Sequence, residues 1–135
     1  MYDSVLVATD GSTDAERAVR QAVEIARRFE AELHALSVAD ERLARSAATE
    51  ETYRQIANRA VRVAEREAAE AGVGVTTAVR TGAPAAEILD YASENGIDLL
   101  VVGNRGRSGL DRFFVGSVAE RVVRRAESSV LVVRS

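Results

Sequence analysis

A single α/β domain, built on a parallel sheet with helices over both faces, is the fold this sequence predicts. Three observations lead there. Short β-branched apolar runs recur along the chain, amphipathic helical stretches separate them, and no linker or shift of composition divides the 135 residues. Such an alternation calls for parallel strands joined by crossovers, doubly wound, in one domain spanning residues 1–135. Open sheets of this kind take ligands beyond the carboxyl ends of the strands where the winding reverses, most often beside the first strand.

The elements follow in order. Ser4 to Thr9 (SVLVAT) is a β-branched run closed by Asp10-Gly11-Ser12, a buried strand and its turn. Thr13 with Glu16 offers a capping box, after which Ala15, Ala18, Val19, Ala22, Val23, Ala26 and Phe29 keep helical spacing. Glu32 to Val38 is the second strand, and Asp40 to Glu51, charged and without period, reads as a loop. From Thr52 to Ala71 the apolar positions are helical again and Gly72 ends them. Val73 to Arg80 is the third strand, Gly82-Ala83-Pro84 a turn with proline at a helix start, and Ala85 to Glu94 the third helix. Asp98 to Val102, Gly116 to Ala126 and Ser129 to Val133 complete the pattern as strand, helix and strand.

Composition narrows the function. The chain is 47% apolar and 29% charged, which is the balance of a globular domain and not of a disordered or fibrous one. No apolar run reaches the ~18 residues that span a bilayer, and no basic-then-apolar leader opens the chain, so a cytoplasmic setting is expected. Without cysteine there is no thiolate chemistry, disulfide or iron–sulfur cluster. A net charge of −3 with the charges interspersed provides no field for a polyanion, so nucleic acid is not an expected partner. Every basic residue is arginine, which removes Schiff bases and the lysine of a Walker A loop; G-x-G-x-x-G is also missing after the first strand.

The fourth strand opens into Gly103-Asn104-Arg105-Gly106-Arg107-Ser108-Gly109, and Gly116-Ser117 then starts the last helix. Glycines so placed let backbone amides approach and enclose an anion, and the helix start adds unpaired N–H groups and positive dipole, a setting for polyphosphate. Arg105 and Arg107 are candidate countercharges, although arginines are common on surface loops. Ser117 with Glu120 also forms a capping box, so Ser117 reads as a helix cap, a phosphate contact or both.

The pattern G-x2-G-x9-G-[ST], filled by Gly103, Gly106, Gly116 and Ser117, resembles the nucleotide-binding signature of the ATP-binding universal stress proteins. At ordinary glycine usage it arises by chance in roughly one chain of this length in two hundred. Val7-Ala8-Thr9-Asp10-Gly11-Ser12, Ser37-Val38-Ala39-Asp40, Gly82-x-Pro84 and Ser129 to Val133 are similar to further family features, so the resemblance spans the domain. It implies a Rossmann-like sheet of order 3-2-1-4-5, akin to the adenine nucleotide alpha hydrolases. It implies ATP or another adenine nucleotide as ligand, with magnesium. Ala8 and Thr9 would floor the pocket, Asp10 would meet the ribose or a magnesium-bound water, and the Val38 backbone would meet the adenine edge. Gly103, Arg105, Gly106, Arg107, Gly116, Ser117 and Val118 would surround the phosphates. The residue chemistry agrees, since a carboxylate accepts from hydroxyls and binds hard cations; the competing reading of Asp10 is a turn-forming aspartate, and Val38 as a strand residue packs in the core. Ala8 departs from the proline of many family members, and the lack of lysine departs too; neither touches the phosphate loop.

No residue stands out as a general base. His34, the sole imidazole, lies well before the carboxyl end of its strand and reads as a packed histidine, so no catalytic residue is assigned. The expectation is a nucleotide-dependent regulatory or stress-response module with at most weak ATP hydrolysis, the alternative a dimeric interaction module that uses no nucleotide. A flavin module fits the fold, but few aromatics are present to stack on the ring. Ser129 to Val133 holds four consecutive apolar residues that would be an edge hazard if exposed, and the resemblance implies a homodimer joined through this strand.

Overall fold

The computed structural model describes residues 1–41, 46–105 and 116–134. Its five strands are β1 (Ser4–Ala8), β2 (Glu32–Asp40), β3 (Val75–Gly82), β4 (Leu99–Gly103) and β5 (Ser129–Val133), all parallel, in the order β3-β2-β1-β4-β5. Four helices connect them: α1 (Thr13–Phe29), α2 (Ala47–Glu70), α3 (Pro84–Glu94) and α4 (Ser117–Arg125). This is the predicted doubly wound sheet with the expected order.

The period of two along each strand sorts the core into two layers. Val5, Val7, Leu33, Ala35, Leu99 and Val101 face α1 and α2, whose small buried residues Ala18, Ala22, Ala64 and Ala68 let the helices lie close to the sheet. Leu6, Leu36, Leu100 and Val102 face α3 and α4, where Ile88, Tyr91 and Val122 cover them. Leu6, Leu36 and Leu100 are fully buried, and truncating any of them to alanine costs about 2–5 kcal/mol.

Helix ends correct several expected boundaries. The cap of α1 is Ser12, not Thr13: Ser12 is extended at φ −71° and ψ 167°, and its Oγ accepts from the Ala15 N–H at 3.3 Å. The stretch expected as a loop from Asp40 to Glu51 is helical from Ala47, with Ser46 as cap and its Oγ accepting from the Thr49 N–H at 3.2 Å; residues 42–45 lie outside the described residues. Those first turns are mostly exposed, so no apolar stripe announces them. At the other end of α2, Gly72 takes φ 72°, the Val73 N–H donates to the Ala68 carbonyl and the Gly72 N–H to the Ala69 carbonyl. That cap engages Val73, so β3 starts at Val75, two residues later than expected, and runs on to Gly82.

Candidate functional site

The winding reverses between β1 and β4. From β1 the chain passes through α1 to β2 on one side, and from β4 through α4 to β5 on the other. The two strands therefore open a crevice at their carboxyl ends.

Past β1, the buried Thr9 still donates its N–H to the Leu36 carbonyl at 2.9 Å, and its Oγ1 accepts from the Gly11 N–H at 3.2 Å. Asp10 Oδ1 accepts from the Ser12 N–H at 2.9 Å, so the turn-forming role of this carboxylate is realised. Gly11 adopts φ 80°, a conformation that suits glycine, and the chain turns directly into α1. Ala8 and Asp10 are half-buried at the rim.

β2 extends beyond β1. Backbone groups alternate between the two neighbouring strands along β2, and the Leu36 carbonyl points toward β1. Two residues on, the N–H and C=O of Val38 point the same way, at a level where β1 has already turned off at Asp10-Gly11. The Val38 side chain is half-buried against the α3 and α4 layer. Core packing by the side chain and a backbone edge that meets no β1 partner among the described residues thus coexist in one residue.

At β4 the two signature glycines are held by packing against backbone. A Cβ on Gly103 would lie 2.8 Å from both the Ala15 nitrogen and the Asp14 carbonyl carbon. A Cβ on Gly116 would lie 2.6 Å from the Asn104 carbonyl oxygen, which accepts from the Gly116 N–H at 2.7 Å. Gly116 is the cap of α4, and Ser117 is its exposed first residue with no side-chain capping bond, which corrects the expected Ser117–Glu120 box. Only glycine fits beside the Asn104 carbonyl, so serine is placed one position into the helix. The first bond within α4 runs from the Glu120 N–H to the Gly116 carbonyl, so the N–H groups of Ser117, Val118 and Ala119 have no acceptor within the helix. The Val118 side chain packs half-buried on the α3 and α4 layer.

Arg105 stands at the head of this segment, but its guanidinium is held by Asp14. Nε lies 3.2 Å from Asp14 Oδ2, Nη2 lies 3.4 Å from Oδ1, and the Arg105 N–H donates to Oδ2 at 3.2 Å. Asp14 is 2% exposed. Gly106 and Arg107 lie outside the described residues. Sequence reasoning missed Asp14, which reads there as one of two acids in a helical first turn, and also Asn104. Asn104 is 2% exposed; its N–H donates to the Val133 carbonyl at 2.8 Å, and its Oδ1 has no hydrogen-bond partner among the described residues.

His34 lies apart from the crevice, level with Leu6 in the middle of the sheet, and its Nδ1 is 2.7 Å from the Tyr91 hydroxyl. Burial holds the Tyr91 hydroxyl above its ordinary pKa, opposed by the Arg80 guanidinium 5.0 Å from the ring centroid. Among the described residues no three His, Cys, Asp or Glu side chains gather to hold a metal, and no helix is long and apolar enough to cross a membrane.

The family model described as universal stress protein family matches residues 1–134. A universal stress protein of Methanocaldococcus jannaschii is 35% identical across 99% of this chain and 83% of its own length. Among solved structures, a universal stress protein in complex with cAMP is 33% identical with a TM-score of 0.77, over 98% of this chain and 97% of that one. The universal stress protein from Archaeoglobus fulgidus in complex with dAMP is 25% identical with a TM-score of 0.78, over 98% of both chains.

Proposed function

The chain belongs to the universal stress protein family, and we propose that it binds ATP or another adenine nucleotide in the crevice beyond β1 and β4, as a regulatory module with at most weak turnover. The observation that carries this reading is the edge of β2 left open by the early turn of β1. At Val38 it presents one N–H and one C=O side by side, the pair that an adenine edge complements. Beyond β4, the amides of Ser117, Val118 and Ala119, which have no acceptor within the helix, provide donors and positive dipole for phosphate. Solved relatives carry cAMP and dAMP, which share adenine and at least one phosphate.

Asp10 lies between these two ends, at the rim where a ribose would rest. The described residues gather no carboxylate cage, so magnesium would be held by Asp10 through water together with phosphate oxygens, supplying charge neutralisation to the phosphates. Among the described residues the imidazole of His34 lies mid-sheet on Tyr91 and the Asp14 carboxylate is buried against Arg105, so binding and not turnover is the proposed activity. The output would be a nucleotide-dependent change in the surface offered to partners in the cytoplasm, within a homodimer paired through the outer edge of β5.

Mass spectrometry of small molecules released from protein purified without added nucleotide, followed by ATP titration with and without magnesium, tests the reading. The expected result is released adenine nucleotide and saturable binding. Asp10→Asn keeps an oxygen for the Ser12 N–H while removing the charge, and should abolish the magnesium dependence. Absence of both released ligand and binding would leave the dimeric interaction module as the better account.

A further inference from the structure

Asp14 is a fully buried carboxylate in the first turn of α1, and it reaches across to the end of β4. A buried charge persists only where hydrogen bonds and an opposite charge compensate its lost hydration. Asp14 obtains both from Arg105, gripping its main-chain N–H and its guanidinium together. The Ser12 hydroxyl donates to the Arg105 carbonyl at 3.4 Å, so α1 holds both backbone groups of that residue. On the opposite side, the Asn104 N–H and carbonyl are held by Val133 and Gly116. Successive residues after β4 are thus fastened alternately to α1 and to the β5–α4 side.

We propose that Asp14 is a positioning residue of the nucleotide site, holding Arg105 against α1 so that the phosphates are met by backbone amides, those at the start of α4 among them, and not by the Arg105 guanidinium. The inference rests on the adenine-nucleotide reading. It reverses the role that a loop arginine suggests from sequence, because the Arg105 guanidinium at the head of the glycine segment compensates an internal anion. Phosphate could take that guanidinium only by leaving Asp14 buried without its countercharge.

The two roles for Arg105 predict opposite signs. Nucleotide-stripped protein is titrated with ATP and with adenosine, which lacks phosphate, in the parent, Asp14→Asn, Arg105→Gln and the double variant. If Asp14 positions the segment, either single change weakens ATP at least about tenfold and leaves adenosine within about twofold, and the double variant is no worse than the weaker single one. The salt dependence of ATP affinity in Arg105→Gln then matches the parent, because the contacts weakened are those of neutral backbone amides and no side-chain charge on the phosphate has been lost. Unchanged or tighter ATP binding by Asp14→Asn would overturn the proposal, since it would mean that a released Arg105 serves the phosphate directly. Parallel losses for ATP and adenosine would overturn it as well, by showing general damage. If Asp14→Asn does not fold, Arg105→Gln decides through its ATP-to-adenosine ratio and its salt slope, its side chain being 23% exposed. A parent that binds neither compound refutes the nucleotide reading itself, whereas a binding parent with an unchanged ratio in the variants refutes only the role of Asp14.

Discussion

Replacing Gly103 with alanine tests whether the end of β4 closes on α1 because it has no side chain. The added Cβ would stand 2.8 Å from the Ala15 nitrogen and the Asp14 carbonyl carbon, and 3.1 Å from the Asp14 Cβ. A helical backbone cannot swing aside as a long side chain does, so the first turn of α1 must retreat by about 0.6 Å to restore a 3.4 Å contact. Overpacking of this kind costs about 1–3 kcal/mol. The retreat also stretches the Asp14–Arg105 hydrogen bonds, already 3.2–3.4 Å long, and weakening the pairing of a buried carboxylate adds about 1–2 kcal/mol. We expect a loss of about 2–5 kcal/mol in urea denaturation at unchanged m-value, and a Tm lowered by roughly 3–4 °C for each kcal/mol. ATP affinity should fall with it, because the same turn sets the head of the glycine segment. A Gly103→Ala protein within about 0.5 kcal/mol of the parent would refute the packing argument and, with it, the reason for glycine at this position.

Three further predictions address other parts of the molecule. In β5 the Val133 carbonyl points to β4, so by alternation the backbone groups of Val130 and Val132 point outward; Val132→Pro should turn the proposed dimer into a monomer in light scattering while sparing the β4–β5 ladder, and a dimer that survives would exclude this edge as the interface. Tyr91→Phe keeps the ring beneath Arg80 but strips His34 Nδ1 of its buried partner, for an expected cost of about 1–3 kcal/mol in urea and no change in nucleotide affinity; a variant as stable as the parent would show that the 2.7 Å contact contributes nothing net. Hydrogen bonds from Arg27, and then from Arg28, hold the exposed Glu24 carboxyl down from 4.5 to about 2, so its stabilisation is fully present above pH 4.5 and is lost as pH falls through about 2. Melting curves of Glu24→Gln should differ slightly from the parent near neutrality and converge on it below that range, and a difference that persists in strong acid would contradict the assignment.

How far the sequence reveals these features depends on whether a residue's role is local. The strands and the helix interiors were legible because periods of two and of about 3.6 record which residues face a core, and the observed layers follow them. The starts of α1, α3 and α4 were legible to within a residue, and that of α2 was missed by five. Ser12-Thr13 and Gly116-Ser117 each offer two adjacent caps, and the choice is made by tertiary contacts, at Gly116 by the Asn104 carbonyl oxygen of a different segment. The early turns of α2 carry no apolar stripe because they are mostly exposed. Asp14 and Asn104 were illegible for the same reason in reverse, since Asp14 is held by Arg105 and Asn104 by Gly116 and Val133, all on other elements, and a lone acid or amide in the sequence gives no sign of that.

The glycine spacing itself combines two roles that sequence reasoning treats as rivals. Gly103 and Gly116 are required by backbone that presses on them, so ordinary packing accounts for both without any ligand. Yet what those contacts achieve is to bring the first turn of α1 and the cap of α4 against the same strand end, which sets two helix N-termini at one mouth of the sheet. Each N-terminus carries about half a unit of positive charge. In α1 that charge is answered from within, by Asp14 and by the Ser12 hydroxyl; in α4 the amides at the start have no acceptor in the helix and no capping side chain. The asymmetry directs an anion to one side of the crevice. A side chain at Gly116 should therefore impair nucleotide binding by tilting α4 away from β4 even if it never touches the ligand, and the loss should appear in ATP and leave adenosine nearly unaffected.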